Sequence, residues 1–298
     1  MPGKRLGFIG LGIVGKPMCE RLLDAGYPVT VWDRNRQGID ELVGYGAVAE
    51  ASAREVAEKS DVVITIVKAT ADVQKVVLGP NGVLEGARPG MVLIDMSTIS
   101  PKATREIAAK LNEKRARMLD APVSGGDKGV REGTLSIMVG GPEDVFEDCL
   151  PVLKAMSKNI VHMGEENGLG QSTKLCNQVI CALNILATCE GIALAAKTGL
   201  DMEKVYSVIR AGAAGSWWFE DLVPKMLGGD LKSGGAVATM QEELRLVMEA
   251  ADDLAVSLPG TSLVQQLFNA NEAEGLGEYG PQSLIRAYEK LAEVEVRK

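Results

Sequence analysis

Short apolar runs alternate with amphipathic segments through the first half of the chain. Val62–Val67 is a continuous run of β-branched residues, which is typical of a strand buried on both faces of a sheet. Similar strand-length runs are Leu6–Ile9, Val29–Trp32, Val92–Asp95, Met118–Asp120 and Leu135–Val139. Helical periodicity separates the early runs, at Gly15–Ala25, Gly38–Val43 and Ala53–Lys59. Strands that alternate with helices predict βαβ units and a parallel sheet.

The pattern changes near Gly164 and then becomes helical. Leu169–Lys197 is apolar on nearly all sides and would extend about 43 Å as one helix. Such a helix is expected to be buried, here as the element that joins two parts of the molecule. Glycine and proline separate the helical segments that follow, which are Met202–Ala211, Trp218–Leu227, Gln241–Leu254, Ser262–Glu274 and Pro281–Val296. We predict an α/β N-terminal domain (residues 1–165) and an all-α C-terminal domain (residues 166–298), joined by the long interdomain helix.

Composition and charge exclude several classes of partner. The chain has 298 residues and a formal charge of −8, with 46% hydrophobic and 24% charged residues, as in an ordinary globular protein. The acidic balance argues against nucleic acid and anionic membranes as partners, because both require clustered lysine and arginine. No stretch approaches the about 18 uninterrupted apolar residues of a membrane span.

The five cysteines are odd in number and lack CxxC or metal-ligand spacing. Three of them, Cys176, Cys181 and Cys189, lie within the long apolar segment. They are interpreted as small buried thiols, so we predict a cytoplasmic protein without disulfides or a metal site.

The segment Gly10-Leu11-Gly12-Ile13-Val14-Gly15 has the pattern GxGxxG, directly after the first strand and at the start of the first helix. In this context Gly10 permits a tight turn, Gly12 lets the backbone approach a pyrophosphate, and Gly15 allows close helix–strand packing. The helix N-terminus then presents unpaired amides to phosphate. The segment therefore predicts a Rossmann-type domain in which all six residues, Gly10, Leu11, Gly12, Ile13, Val14 and Gly15, contact a dinucleotide. The alternative is a glycine turn of the same fold that binds no ligand.

Asp33 ends the second strand, near the ~20-residue spacing expected for an acid that binds the ribose. Its carboxylate would accept a hydrogen bond from the ribose 2′-OH and repel a 2′-phosphate, which favours NAD. Arg34, or Arg36 close by, could instead attract that phosphate, so NADP stays open as an alternative. We predict that Asp33 and Arg34 bind the cofactor and that the cofactor is NAD.

Three further segments carry a resemblance to a known family. Met96–Pro101 ("MSTISP") follows one strand, Asp120–Gly126 ("DAPVSGG") follows the next, and Gly164–Gln171 ("GEENGLGQ") leads into Lys174. Together with Gly10–Gly15 they resemble, in order and spacing, the four signature segments of the β-hydroxyacid dehydrogenases, over nearly the whole chain. The resemblance implies hydride transfer between NAD(P) and a small anionic substrate, a short 3-hydroxy acid or its semialdehyde. It also implies a homodimer or homotetramer formed through the C-terminal domain.

The resemblance also implies roles for individual residues. Lys174 is expected to be the catalytic residue, supplying a positive charge and a proton at the substrate oxygen. The residues expected to bind the substrate are Ser124, Gly125, Gly126, Asn177 and Gln178. Those expected to bind the cofactor, besides the glycine segment, Asp33 and Arg34, are Val67, Lys68, Thr98 and Glu243. The single histidine, His162, is the competing proton donor, but its place in the strand-like run Ile160–Met163 favours a structural role.

Two positions depart from the family pattern. Gln178 stands where many members have a second asparagine, although helical spacing still puts Lys174, Asn177 and Gln178 on one face. Glu242 stands where the family has a lysine near the cofactor, which reverses the charge. Either Glu242 points away, or Lys232 or Arg245 compensates for its charge, or cofactor affinity is lower.

The expected reaction is reduction of a semialdehyde, with tartronate semialdehyde as the first candidate. The ending Tyr288–Val296 ("YEKLAEVEV") favours that branch of the family. 3-Hydroxyisobutyrate or another short 3-hydroxy acid is the alternative substrate, and a non-catalytic dinucleotide-binding sensor is the alternative from a different class. 6-Phosphogluconate is disfavoured because the chain is short and lacks a phosphate-binding arginine cluster.

Overall fold

The computed structural model describes residues 3–297, with the backbone alone at Asp127, and divides the chain into two compact units, Met1–Lys174 and Leu175–Lys298. Met1, Pro2 and Lys298, which the predicted domains include, lie outside the described residues. The division falls within the long helix, so its first turns belong to the first unit.

The first unit alternates strands and helices, as the apolar pattern predicts. The strands are β1 (Leu6–Ile9), β2 (Val29–Trp32), β3 (Val48–Ala49), β4 (Val62–Thr65), β5 (Val92–Asp95), β6 (Arg117–Asp120), β7 (Val123–Ser124), β8 (Ser136–Gly140) and β9 (Asn159–Gly164). The helices are α1 (Gly15–Asp24), α2 (Arg36–Gly44), α3 (Ala53–Lys59), α4 (Thr70–Leu78), α5 (Val83–Gly86), α6 (Pro101–Glu113), α7 (Gly126–Glu132) and α8 (Glu143–Met156).

The strands form one sheet in the order β3-β2-β1-β4-β5-β6-β8-β7, with β9 paired to β8. The pairs from β3 to β6 are parallel, as predicted, but β8 runs antiparallel to both β6 and β7. The expectation of a wholly parallel sheet is therefore wrong at this edge. Residues 121–135 contain only the two-residue β7 and the short α7, and they return the chain without a parallel crossover.

Both faces of the sheet are covered, which explains the continuous apolar runs. Phe8, Ile64 and Ile94 face a cluster shared with α1 and α8, whereas Val63 and Leu93 face a cluster shared with α3, α4 and α6. Successive side chains of one strand thus enter opposite layers of the core.

The second unit contains helices and, among its described residues, no strand. Its elements are most of α9 (Leu169–Lys197), then α10 (Met202–Arg210), α11 (Trp217–Leu227), α12 (Val237–Asp253), α13 (Pro259–Ala273), a 3₁₀ turn (Pro281–Leu284) and α14 (Ile285–Ala292). The predicted last helix, Pro281–Val296, is therefore wrong at both ends. Glu293 has a left-handed backbone (φ 47°), and the buried Glu289 carboxylate accepts a hydrogen bond from Val296 N, which folds the tail back.

Helix α9 differs from its prediction as a helix buried on all sides. Its inward face, which includes Ile185, Cys189 and Ile192, packs in the core of the second unit, but Ile180 and Leu194 are 62% and 67% exposed. Among the described helices, α9 alone is long and apolar enough to cross a membrane by length and composition. This is weak evidence for a membrane span. Half of the 18-residue apolar stretch within α9 is buried inside the protein, and the core helix of a globular protein can be equally long and apolar.

None of the five cysteines, all within the described residues, forms a disulfide in the structure. Cys19, Cys149, Cys181 and Cys189 are buried. Cys176 is exposed, so the expectation of buried thiols is wrong at this one position.

Candidate active site

Four neighbouring parallel strands end in register at one edge of the sheet. The last residues of β1, β4, β5 and β6 are Ile9, Thr65, Asp95 and Asp120, each paired with the next. From β1 the chain proceeds to β2 on one side, whereas β4 lies on the other, so the order of strands reverses here. This edge is where open α/β sheets bind ligands, and most predicted site residues of the first unit follow it.

The glycine segment leaves space for a ligand where a pyrophosphate would lie. Gly10 has φ 99°, and a methyl group on it would stand 2.1 Å from the Ile66 carbonyl oxygen. A methyl on Gly15 would stand 2.0 Å from the Gly10 carbonyl oxygen, so α1 packs directly on the loop. Gly12 is exposed, and a methyl there would meet no atom within 4 Å. The N-cap Val14 makes no side-chain hydrogen bond to the first turn of α1, and these residues fit a bound dinucleotide.

Asp33, directly after β2, accepts a hydrogen bond from the backbone of the glycine segment. Its carboxylate accepts hydrogen bonds from Leu11 N and Asn35 N, both at 2.6 Å. A carboxylate has about four acceptor positions, so it retains capacity for a ribose hydroxyl. Arg34 Nη1 instead lies 3.0 Å from Asp72 Oδ1 on α4. This ion pair engages the arginine that was predicted as an alternative partner for a 2′-phosphate.

Val67, Lys68 and Thr98 lie in the loops after β4 and β5. Val67 N donates to Ser97 Oγ at 2.9 Å, which ties the two loops together. Lys68 is exposed, and Thr98 is half-buried beside these contacts. The structure therefore ties the loop that holds Thr98 to the loop that holds Val67.

Ser124, Gly125 and Gly126 form the passage from β7 into α7 rather than a plain turn. Gly125 (φ 135°) is the N-cap and Gly126 (φ 61°) begins the helix, conformations that glycine adopts readily. Ser124 pairs with Ser136 of β8, so the backbone before the glycines is fixed by the sheet.

Lys174 lies in the second turn of α9 and is only 6% exposed. The sequence did not indicate what holds the start of this helix. The structure shows that two buried residues, Asp120 and Gln171, do so. Asp120 accepts hydrogen bonds from the backbone of the first turn, and the Gln171 side chain reaches the loop after β5. The signal available in the sequence was the type of Gln171, an amide at the start of a largely apolar helix whose first turns also carry Lys174, Asn177 and Gln178.

Asn177, Gln178 and Glu243 lie together in the second unit. Asn177 Nδ2 donates to Gln178 Oε1 at 2.7 Å, and Gln178 Nε2 donates to the Glu243 carboxylate. Gln178 is buried, so its amide is used for contacts within the protein. The charge of Glu242 is balanced by Arg245 at 3.0 Å, one of the predicted explanations for this departure.

His162 has the structural role expected of it. Its Nε2 lies 2.7 Å from the Gly141 carbonyl oxygen, and its ring stacks on Phe146 at 4.7 Å. Both contacts are to the protein itself and occupy the ring from its face and its edge.

Asp95 and Asp120 are buried carboxyls on adjacent strands. Burial raises the pKa of Asp95 to about 6, despite hydrogen bonds from Ser97 and Thr65 that favour its charged form. Burial also raises the pKa of Asp120, against the hydrogen bonds from Gly168 N and Gln171 N. In the described part of the chain, Asp95 Oδ2 has no hydrogen-bond partner.

Replacing Asp95 with asparagine is expected to remove a pH-dependent loss of stability. The folded protein holds the Asp95 proton more tightly than the unfolded chain, so the free energy of unfolding falls as pH rises from about 4 to about 6. The full cost, up to about 3 kcal/mol, is present above that range. Urea unfolding at pH 5 and pH 8 should show that the free energy of unfolding of Asp95→Asn, relative to that of the wild type, is higher at pH 8 than at pH 5. An equal difference at both values would contradict the assignment.

Comparisons with known proteins agree with this geometry. Residues 5–164 match the family model described as the NAD binding domain of 6-phosphogluconate dehydrogenase. Residues 168–288 match the model described as NAD-binding of NADP-dependent 3-hydroxyisobutyrate dehydrogenase. The 2-hydroxy-3-oxopropionate reductase of Escherichia coli is 41% identical over 288 residues, which are 97% of this chain and 98% of that protein.

Two solved structures match nearly the full chain. A 3-hydroxyisobutyrate dehydrogenase from Salmonella typhimurium has a TM-score of 0.87 at 33% identity, covering 95% of this chain and 99% of that chain. A 3-hydroxyisobutyrate dehydrogenase from Mycobacterium tuberculosis, with L-serine, has a TM-score of 0.87 at 32% identity, covering 95% and 98%. Both units of the chain therefore have counterparts within the same relatives.

Proposed function

The chain belongs to the β-hydroxyacid dehydrogenases, a family of NAD(P)-dependent oxidoreductases, and we propose that it reduces tartronate semialdehyde to D-glycerate. The observation that carries the chemistry is the buried Lys174, whose helix begins against the carboxyl edge of a dinucleotide-binding sheet. We also propose that residues 1–165 bind the cofactor and that residues 166–298 serve substrate binding and oligomerisation.

Lys174 would act where charge develops during reduction. A dinucleotide held by Gly10–Gly15 and Asp33 would, when bound in its reduced form, supply the hydride that the carbonyl carbon of the semialdehyde needs. The Lys174 ammonium holds a proton for the carbonyl oxygen and stabilises its growing negative charge. Burial of the side chain excludes water and strengthens this electrostatic effect.

The substrate carboxylate needs hydrogen-bond donors that have no protein carboxylate beside them. In our proposal the Ser124 hydroxyl and the backbone amides of Gly125 and Gly126 hold it, since neither glycine has a side chain to block its amide. Asn177 lies on the Lys174 face of α9, and its amide assists the substrate or the lysine. Gln178 acts through Asn177, to which its amide is bonded.

The cofactor residues follow from the geometry of the loops. We propose that Gly10–Gly15 hold the pyrophosphate and that Asp33 receives the ribose hydroxyl, which favours NAD over NADP. The Arg34–Asp72 pair supports this preference, because it engages one of the two arginines that could bind a 2′-phosphate. Val67, Lys68, Thr98 and Glu243 are also assigned to the cofactor, with Thr98 beside its nicotinamide end.

We propose a cytoplasmic homodimer or homotetramer. Ile180, Leu183 and Leu194 are exposed apolar residues of α9, and a second copy of the chain would cover them. The thiols, none of them in a disulfide, agree with a reducing compartment.

A substrate panel tests the proposal. NADH and NADPH oxidation would be followed with tartronate semialdehyde and methylmalonate semialdehyde, and NAD⁺ reduction with L-serine. We expect the highest kcat/KM for tartronate semialdehyde with NADH. A higher value for methylmalonate semialdehyde or L-serine would replace the substrate with another β-hydroxyacid pair. NADH binding without any turnover would favour the non-catalytic sensor.

A further inference from the structure

The first turn of α9 is held by the carboxylate of Asp120 at the end of β6. Asp120 Oδ1 accepts from Gly168 N at 2.8 Å, and Oδ2 accepts from Gln171 N at 2.9 Å. A carboxylate in this position satisfies amides that a helix start leaves unpaired and is favoured by the helix dipole. It fixes the beginning of α9 to the sheet although Asp120 is 48 residues before Gly168 in the chain.

The Gln171 side chain makes a second attachment, to the loop after β5. Gln171 Oε1 accepts from Ile99 N at 3.0 Å, and Gln171 Nε2 donates to the Ser97 carbonyl oxygen at 2.8 Å. The side chain is fully buried. Its two backbone partners flank Thr98, so the amide grips the backbone on both sides of that residue.

Ser97 also hydrogen-bonds to the loop after β4, which holds Val67. Its hydroxyl donates to Asp95 Oδ1 at 2.7 Å and accepts from Val67 N at 2.9 Å. Thr65 Oγ1 donates to the same Asp95 oxygen at 2.7 Å. One hydrogen-bonded network therefore connects Val67, the backbone around Thr98 and the first turn of α9.

Close packing prevents this helix start from sliding. A methyl group on Gly170 would stand 2.3 Å from the Met138 carbonyl oxygen and 2.7 Å from that of Asp120. Lys174 follows Gly170 by four residues and Gln171 by three, so it lies next to each of them on the helix surface. The location of the lysine relative to the Thr98 loop is thus set by Asp120 and Gln171.

We infer that Gln171 and Asp120 are positioning residues for hydride transfer, which hold Lys174 and the Thr98 loop at their working separation. This inference rests on the proposed catalytic role of Lys174. Neither side chain needs to touch the substrate. Their loss acts through misplacement of the lysine, and about 1 Å of misplacement can lower a rate about 100-fold.

Gln171→Met tests the inference, with Gln282→Met as the matched control. Methionine keeps the length of the side chain and removes both polar atoms. Gln282 is also fully buried and donates to two carbonyl oxygens, those of Asp230 and Ser233, but it belongs to no predicted site. With tartronate semialdehyde and NADH, we expect kcat to fall about 100-fold in Gln171→Met only.

Two further readouts separate positioning from damage to the fold. Fluorescence titration should give an unchanged Kd for NADH in Gln171→Met. With NADH deuterated at the transferred position, the isotope effect on kcat should rise, because hydride transfer becomes rate-limiting. A loss of folded protein alone would lower the apparent rate without changing the isotope effect. Asp120→Asn, which keeps one acceptor oxygen, should show a smaller change in the same direction.

Each outcome decides the inference. Equal kcat in the two glutamine variants, or a fall with an unchanged isotope effect, overturns it. If Gln171→Met does not bind NADH, Asp120→Asn decides, and wild-type kcat in that variant overturns it. Lys174→Ala is measured alongside: if it is inactive while Gln171→Met matches the control, only the positioning role fails. Full activity of Lys174→Ala, or no turnover by the wild type, contradicts the proposed function and this inference with it.

Discussion

Replacing Lys174 with alanine is expected to lower kcat for tartronate semialdehyde about 10³-fold or more. The change removes both the proton donor and the positive charge from the site where the carbonyl oxygen becomes negative, and each effect alone contributes about 10²-fold or more. Steady-state oxidation of NADH by the purified variant measures the loss.

Thr173→Ala is the matched control for this variant. Thr173 precedes Lys174 in the same turn, and its hydroxyl donates only to the Leu169 carbonyl oxygen of its own helix, at 2.8 Å. We expect wild-type kcat for Thr173→Ala and an unchanged Kd for NADH in both variants. Turnover by Lys174→Ala at the rate of the control would end the lysine mechanism.

Gly12→Ala is expected to weaken NADH binding about 10- to 100-fold while leaving stability unchanged. The added methyl meets no protein atom within 4 Å, so the fold accepts it. It does occupy the space where the backbone approaches a pyrophosphate, and a hydrogen bond to a charged group contributes about 1.5–3 kcal/mol. Fluorescence titration with NADH and thermal unfolding without cofactor measure the two effects separately.

Two other glycine variants serve as comparisons for Gly12→Ala. Gly10→Ala should lower both affinity and stability, because its methyl would stand 2.1 Å from the Ile66 carbonyl oxygen and its φ is 99°. Gly191→Ala, in α9 and also without a neighbour within 4 Å, should change neither affinity nor folding adversely. A Gly12→Ala protein that binds NADH as tightly as the wild type would place the pyrophosphate elsewhere.

Local chemistry explains why the first half of the fold follows from the sequence. Strands β1, β4 and β5 are buried on both faces, so their apolar runs are unbroken and easily identified. The glycine segment is defined by backbone conformations that few other residues adopt. Its turn and its close packing are determined within about six residues, so the sequence is sufficient to predict them.

Long-range contacts explain what the sequence does not reveal. The direction of β8 depends on how residues 121–135 return the chain, and no periodicity encodes that path. The end of α14 depends on Glu289, whose buried carboxylate holds Val296 N seven residues later. The exposed face of α9 carries Ile180, Leu183 and Leu194, which are as apolar as its buried residues, so the pattern alone could not distinguish the two faces.

The candidate site shows the same division. Lys174 and the glycine segment belong to motifs of recognisable spacing. Asp120 and Gln171 acquire their contacts only when residues about 50 to 70 positions apart meet at the carboxyl edge of the sheet. Their types, a carboxylate after a buried strand and an amide in an apolar helix, were the visible signals, but their partners were not.

Chemical rescue of Lys174→Ala by small amines tests the central claim most directly. The variant would be assayed with tartronate semialdehyde and NADH at rising concentrations of methylamine, and in parallel with tetramethylammonium. We expect methylamine to restore turnover in proportion to its concentration, because it can enter the vacated space and donate a proton. Tetramethylammonium carries the charge without a proton and should restore little. Equal rescue by both cations, or wild-type turnover without either, would contradict Lys174 as the proton donor.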